Sequence, residues 1–109
     1  MKPSLLIAFS ALAFGSSARL YDLETGNMIT LDIKGTPMTL PFSGHGRISG
    51  SLASGKKVAG EFQTVGDQHG AAILVGDGIV IDCEYYVAGN GNGTGTCQDN
   101  EKRRYRLMF

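Results

Sequence analysis

The sequence lacks three features that mark common classes of protein. It has no excess of charge, because 10 lysine and arginine residues balance 10 aspartate and glutamate residues. Nucleic-acid binding generally needs a net basic surface, so nucleic acid is not a predicted partner. The chain has no apolar run of about 20 residues, the length a membrane-spanning helix requires. It also shows no helical periodicity after residue 18, which favours a domain built from strands.

The start of the chain is predicted to be a cleavable secretory signal peptide. Lys2 provides a positive start, residues 5–14 form an apolar run of signal-peptide length, and small residues precede a cleavage position after Ala18. Cleavage there would separate the signal, residues 1–18, from a single small domain, residues 19–109. The predicted location is therefore the periplasm or the extracellular space, with no membrane span remaining after cleavage.

Cys83 and Cys97 are predicted to form a disulfide bond, because export places them where disulfides persist. Closing a loop of about 15 residues in this way contributes roughly 3 kcal/mol in the chain-entropy model. A domain this small benefits from such a link. A metal or redox site made of these thiols would instead need a tighter spacing, or histidines beside them.

Alternating apolar and polar residues between regularly spaced turn signals predict an all-β domain. The expected architecture is a small antiparallel meander of repeated hairpins, forming either a twisted sheet or a partly closed barrel. Residues 20–23 and 28–33 form the first predicted hairpin around the turn at 24–27. Two prolines then break the pattern, so residues 38–42 are at best an edge strand or an irregular one.

From residue 44 onward the chain contains three similar hairpin segments, with turns at the evenly spaced positions Gly55, Gly78 and Glu101. Small residues near the start of each copy are expected to leave room for an aromatic ring on a neighbouring strand: Gly46, Ala72 and Gly95. In the second copy, alternation assigns five side chains to the core: Ile79, Ile81, Cys83, Tyr85 and Val87. It assigns three to the opposite face: Asp82, Glu84 and Tyr86.

The stretch from residue 44 to 62, with leading glycines, an aliphatic strand and a closing Gly-Glu-Phe, resembles a MORN-type hairpin repeat. Val58 stands where that family places an aromatic residue, and Cys83 where the second copy should have glycine. The resemblance implies an elongated, twisted antiparallel sheet that serves as a scaffold or interaction surface. The whole chain also resembles small exported bacterial proteins of unknown function, through residues 20–26 and the segment from Cys83 to Cys97.

A basic segment near the end of the chain is a candidate binding surface. If it is a strand, Lys102, Arg104 and Arg106 share one face. One interpretation is a solvated edge strand, where cations discourage pairing with other sheets. The other is a patch that binds an anionic partner. Tyrosine and arginine are enriched at binding hot spots, so Tyr21 and Tyr86 join Arg104 and Arg106 as the predicted binding residues.

The sequence contains no catalytic constellation, since no serine lies in a strained strand-to-helix turn and both cysteines are assigned to the disulfide. It therefore predicts a non-catalytic exported module, without a cofactor, that binds a protein or cell-envelope component through its surface. An exposed terminal strand would also allow homo-oligomers by edge pairing. The alternative hypothesis is a small metal-binding protein or metal-dependent hydrolase that uses His45, His69 and Asp67. Both histidines would otherwise be ordinary exposed turn residues.

Overall fold

The computed structural model describes residues 15–35, 45–65, 68–88 and 92–109. These residues form eight antiparallel strands joined in chain order. The strands are β1 Gly15–Asp22, β2 Met28–Gly35, β3 His45–Ser51, β4 Lys57–Val65, β5 His69–Gly76, β6 Ile79–Val87, β7 Gly93–Asp99 and β8 Arg104–Met108. Each strand pairs with the next, and β8 pairs with β1, so the sheet is a closed barrel. The predicted residues 38–42 lie outside the described ranges.

Closure confirms the all-β meander and corrects one prediction about its last strand. Arg19 lies opposite Met108 and Asp22 opposite Tyr105, so β1 completes the hydrogen bonding of β8. The interpretation of β8 as an edge strand is therefore wrong, because β7 and β1 cover both of its sides. Homo-oligomers formed by edge pairing along β8 have no free edge to use.

The predicted turns lie together at one end of the barrel. Gly26, Gly55 and Gly78 have positive φ angles of 79°, 91° and 76°, which glycine adopts at low cost in tight turns. In the third repeat the positive φ falls on Lys102, at 68°, one residue after the predicted turn position. All four connections at this end are short, so the strand ends here are held close to one another.

The barrel interior contains the core that the alternation predicts. Ile81, Cys83, Tyr85 and Val87 are buried, and Ile79 packs against them while partly exposed. The three residues assigned to the opposite face are exposed: Asp82, Glu84 and Tyr86. Cys83 lies directly opposite Cys97 on the neighbouring strand, and the predicted disulfide between them is confirmed.

Tyr85 shows why small residues recur on the inner face. It lies between Gly70 on β5 and Gly95 on β7. A Cβ atom at Gly70 would collide with the Tyr85 ring, and one at Gly95 would collide with the Tyr85 Cβ and with backbone. The ring fills the interior, and its hydroxyl forms a buried hydrogen bond of 2.7 Å with the Thr64 hydroxyl.

The predicted cleavage position lies within β1. Ala18 is buried and faces Leu31, whereas the pairing between β1 and β8 begins at Arg19. Cleavage after Ala18 would keep residues 19–22, which pair with β8, but would remove the buried Ala18 and the half of β1 that pairs with residues 31–34 of β2. Within the described ranges, no helix has the length and hydropathy that crossing a membrane requires.

Candidate functional site

Four outward side chains on β8 and β1 form the surface that we call the cationic face: Arg19, Tyr21, Arg104 and Arg106. Tyr21 lies directly opposite Arg106. Arg19 precedes Tyr21 by two residues and Arg104 precedes Arg106 by two, so in the antiparallel pair these two arginines lie on opposite sides of Tyr21 and Arg106. Side chains of a strand alternate between faces, and the intervening Leu20, Tyr105 and Leu107 are buried in the core. Because these neighbours point into the core, the side chains of the cationic face point outward.

The cationic face has no acidic side chain among its register neighbours. On β7 its neighbours are Thr96 and Gln98, and on β2 they are Met28 and Thr30. Its three arginines are exposed, and within the described ranges none of them forms an ion pair. The positive charge of this surface is therefore available to a partner.

Tyr86, the fourth predicted binding residue, lies apart from the other three. It stands on β6, two strands from β8, and is 44% exposed. Its ring contacts the His69 ring edge to face at 5.3 Å, and its hydroxyl donates a hydrogen bond to Gln68 Oε1 at 3.3 Å. The sequence prediction missed Arg19, although its spacing of two residues from Tyr21 was the signal that it shares the face.

The residues of the metal hypothesis are only partly described. His45 begins β3 and His69 begins β5, so both lie at the same end of the barrel. The intervening β4 separates their backbones by two strand spacings, about 10 Å. Asp67 lies outside the described ranges. In the part of the chain that the structure covers, no group of three or more His, Cys, Asp or Glu residues could hold a metal ion. The metal site stays a prediction.

A buried polar cluster at the turn end of the barrel was not predicted. Asp99 Oδ2 accepts a hydrogen bond from the Tyr105 hydroxyl at 2.8 Å. Asp99 Oδ1 accepts from the backbone N–H groups of Glu101 and Arg103, at 2.8 and 2.9 Å. Burial raises the pKa of Tyr105, and the hydrogen bond to Asp99 raises it further. The phenol therefore stays protonated at neutral pH and acts as a donor that holds the β7–β8 turn.

Asp22 organises the neighbouring β1–β2 turn in the same way. Its Oδ1 accepts from the N–H groups of Glu24 and Thr25, and its Oδ2 lies 3.0 Å from Arg103 Nη1. Burial acts to raise the Asp22 pKa, but the hydrogen bonds and the arginine outweigh it, and the net pKa lies below the ordinary 3.8. The two turns are thus tied together through Arg103.

The lowered pKa of Asp22 predicts a loss of stability in acid. A group with a depressed pKa in the folded state stabilises the protein above its unfolded pKa and loses that contribution as pH falls through the folded value. Below about pH 4, the free energy of unfolding is therefore expected to fall more steeply for wild type than for Asp22→Asn. Urea denaturation from pH 6 to pH 2 measures this difference, and parallel pH profiles for the two proteins would contradict it.

The opposite end of the barrel holds a small apolar cavity of about 50 Å³, between Ala18, Phe62, Tyr85 and Phe109. The hydroxyl of Tyr85 is already bonded to Thr64. Small-molecule sites usually enclose roughly 300 Å³ or more. The cavity therefore has the size of a packing defect and not of a substrate site.

Comparison of the chain with protein-family models, with curated proteins and with solved structures finds no match.

Proposed function

We propose that this protein is an exported, non-catalytic binding module whose cationic face attaches to a partner protein with an acidic contact surface. The observation that supports this most is the grouping around Tyr21, on two adjacent strands, of three exposed arginines that form no ion pair with any residue the structure describes. Arginine offers a planar fork of donors that pairs with carboxylates in two parallel hydrogen bonds. Tyrosine adds apolar contact area beside them.

The barrel makes this surface rigid before binding. Both strands of the cationic face are hydrogen-bonded on each side, and their inward side chains are fixed in the core. A preorganised surface loses less conformational entropy on association than a loop does. The cationic face therefore suits recognition of a defined protein surface.

Three polar groups at the turn end of the barrel have structural roles, which is consistent with a non-catalytic module. Asp22, Asp99 and Tyr105 are each engaged in hydrogen bonds that hold turns. The disulfide is consistent with an oxidising compartment outside the cytoplasm. We propose the periplasm or the extracellular space as that compartment, with the partner a protein of the cell envelope.

The proposal predicts that charge reversal on the cationic face strongly reduces partner capture. Cross-linking in the native compartment should recover an acidic protein with wild type. The yield should fall about tenfold or more with Arg104→Glu/Arg106→Glu, because rim charges govern association and salt dependence. Raised ionic strength should weaken capture in the same direction.

A matched control is Lys57→Glu, which reverses an exposed charge on β4, away from the cationic face. This variant should capture the partner as wild type does. Equal yields from wild type and the double arginine variant, both shown to be folded by circular dichroism, would refute the proposal.

A further inference from the structure

We infer that the outer surface of β6, β7 and β8 is self-complementary, and that two copies of the chain associate about a two-fold axis parallel to β7. This inference names a second copy as a partner of Arg104 and Arg106, so it rests on the proposed function.

The inference starts from three rows of outward side chains that cross the three strands in register. Each row has a residue of β6 at one end, a short or uncharged residue of β7 in the middle and a residue of β8 at the other end. The rows are Asp82, Gln98 and Arg104; Glu84, Thr96 and Arg106; Tyr86, Thr94 and Met108.

The opposite charges in a row are not paired with each other within one chain in the described ranges. Asp82 and Arg104, like Glu84 and Arg106, are separated by two strand spacings, about 10 Å between backbones. All four side chains are exposed, and none of them forms an ion pair in the part of the chain that the structure covers. The surface therefore carries an acidic strand and a basic strand on either side of a neutral one.

A two-fold axis that is parallel to β7 and lies between two copies places opposite charges of the two copies against each other. The rotation exchanges β6 with β8 and keeps each row at the same height along the strands. Arg104 of one copy then faces Asp82 of the other, and Arg106 faces Glu84. Symmetry repeats both contacts, which gives four pairs in a closed, isologous interface.

The third row and the shape of the surface fit the same arrangement. The axis places Tyr86, which is 44% exposed, against Met108 of the other copy, and methionine sulfur packs favourably against aromatic rings. A barrel is convex, so two copies approach most closely at β7. That strand presents the short side chains of Thr94 and Thr96, while the longer arginines on β8 span the wider gap beside it.

Charge reversal followed by mixing tests the inference on the purified, oxidised protein. Sedimentation equilibrium should show a concentration-dependent dimer for wild type. Arg104→Glu/Arg106→Glu and Asp82→Lys/Glu84→Lys should each raise the dimer dissociation constant about a hundredfold or more, because like charges then face each other. An equimolar mixture of the two variants should dimerise again, since all four pairs are restored with their signs exchanged.

Two control variants separate this inference from the proposed function. Glu61→Lys reverses an exposed acid on β4, outside the three rows, and should dimerise as wild type does. Arg19→Glu should weaken capture of the envelope partner but leave the dimer intact. A monomeric wild type, a charge-reversed variant that still dimerises alone, or a mixture that stays monomeric would each overturn the inference. The proposal of an envelope partner would survive those results, whereas a wild type that dimerises but captures no acidic envelope protein would refute only that proposal.

Discussion

Replacement of Asp99 by alanine is expected to lower the free energy of unfolding by roughly 2 kcal/mol or more, because a buried donor such as the Tyr105 hydroxyl costs about 1–3 kcal/mol when it is left without its acceptor. Asp99 is only 7% exposed, and its carboxylate accepts hydrogen bonds from the Tyr105 hydroxyl and from two backbone N–H groups. The variant leaves all three donors without this acceptor. Urea denaturation at pH 7 measures the loss.

Two further variants separate the contributions of the Asp99 carboxylate. Asp99→Asn keeps the shape and one acceptor oxygen for the turn, so it should cost less than Asp99→Ala. Tyr105→Phe removes only the bond to Oδ2 and should also cost less. Combined with Asp99→Ala, it should add little further loss, because the two residues share one interaction. An alanine variant as stable as wild type would show that the carboxylate does not hold the turn.

The strands and the core were predictable because each depends on local sequence. Alternation with a period of two decides which side chains share a face, and the assignment of Ile81 and Tyr85 to the core with Glu84 outside follows from it. Gly55 and Gly78 identified their turns through the positive φ that those turns require. Even the disulfide followed from two cysteines and the predicted export.

Barrel closure was not predictable in the same way. Pairing of β1 with β8 joins the two ends of the chain and depends on the tilt and stagger of all eight strands, which no local pattern encodes. The contact of Arg103 with Asp22 spans 81 residues and exists only because the barrel closes. The guanidinium of Arg103 binds the neighbouring turn, a role that strand alternation does not indicate.

The candidate site likewise combines residues that local sequence predicts with residues that only barrel closure brings together. Sequence placed Arg104 and Arg106 on one face, but only closure sets Tyr21 beside Arg106 and brings Arg19 to the same surface. Asp22 was missed as a structural residue, although an aspartate that begins a turn often accepts backbone N–H groups two and three residues later. That local signal was present in the sequence.

Reduction of the disulfide is expected to lower the free energy of unfolding by about 3 kcal/mol, the value for releasing a loop of about 15 residues in the unfolded chain. Cys83 and Cys97 lie 14 residues apart in sequence and directly opposite on β6 and β7. Reduction frees the unfolded chain while the buried side chains keep nearly the same volume. The shift in urea midpoint between oxidised and reduced protein measures the effect.

The control for reduction is Cys83→Ala/Cys97→Ala, which should be insensitive to reductant. This variant should be less stable than reduced wild type, because both cysteines are buried and alanine leaves part of their volume empty. Reduced wild type with an unchanged urea midpoint, its free thiols verified by mass spectrometry, would mean that the link adds no stability. The expected loss instead makes folding stability depend on an oxidising compartment, which ties the physical chemistry of the barrel to the export that we propose.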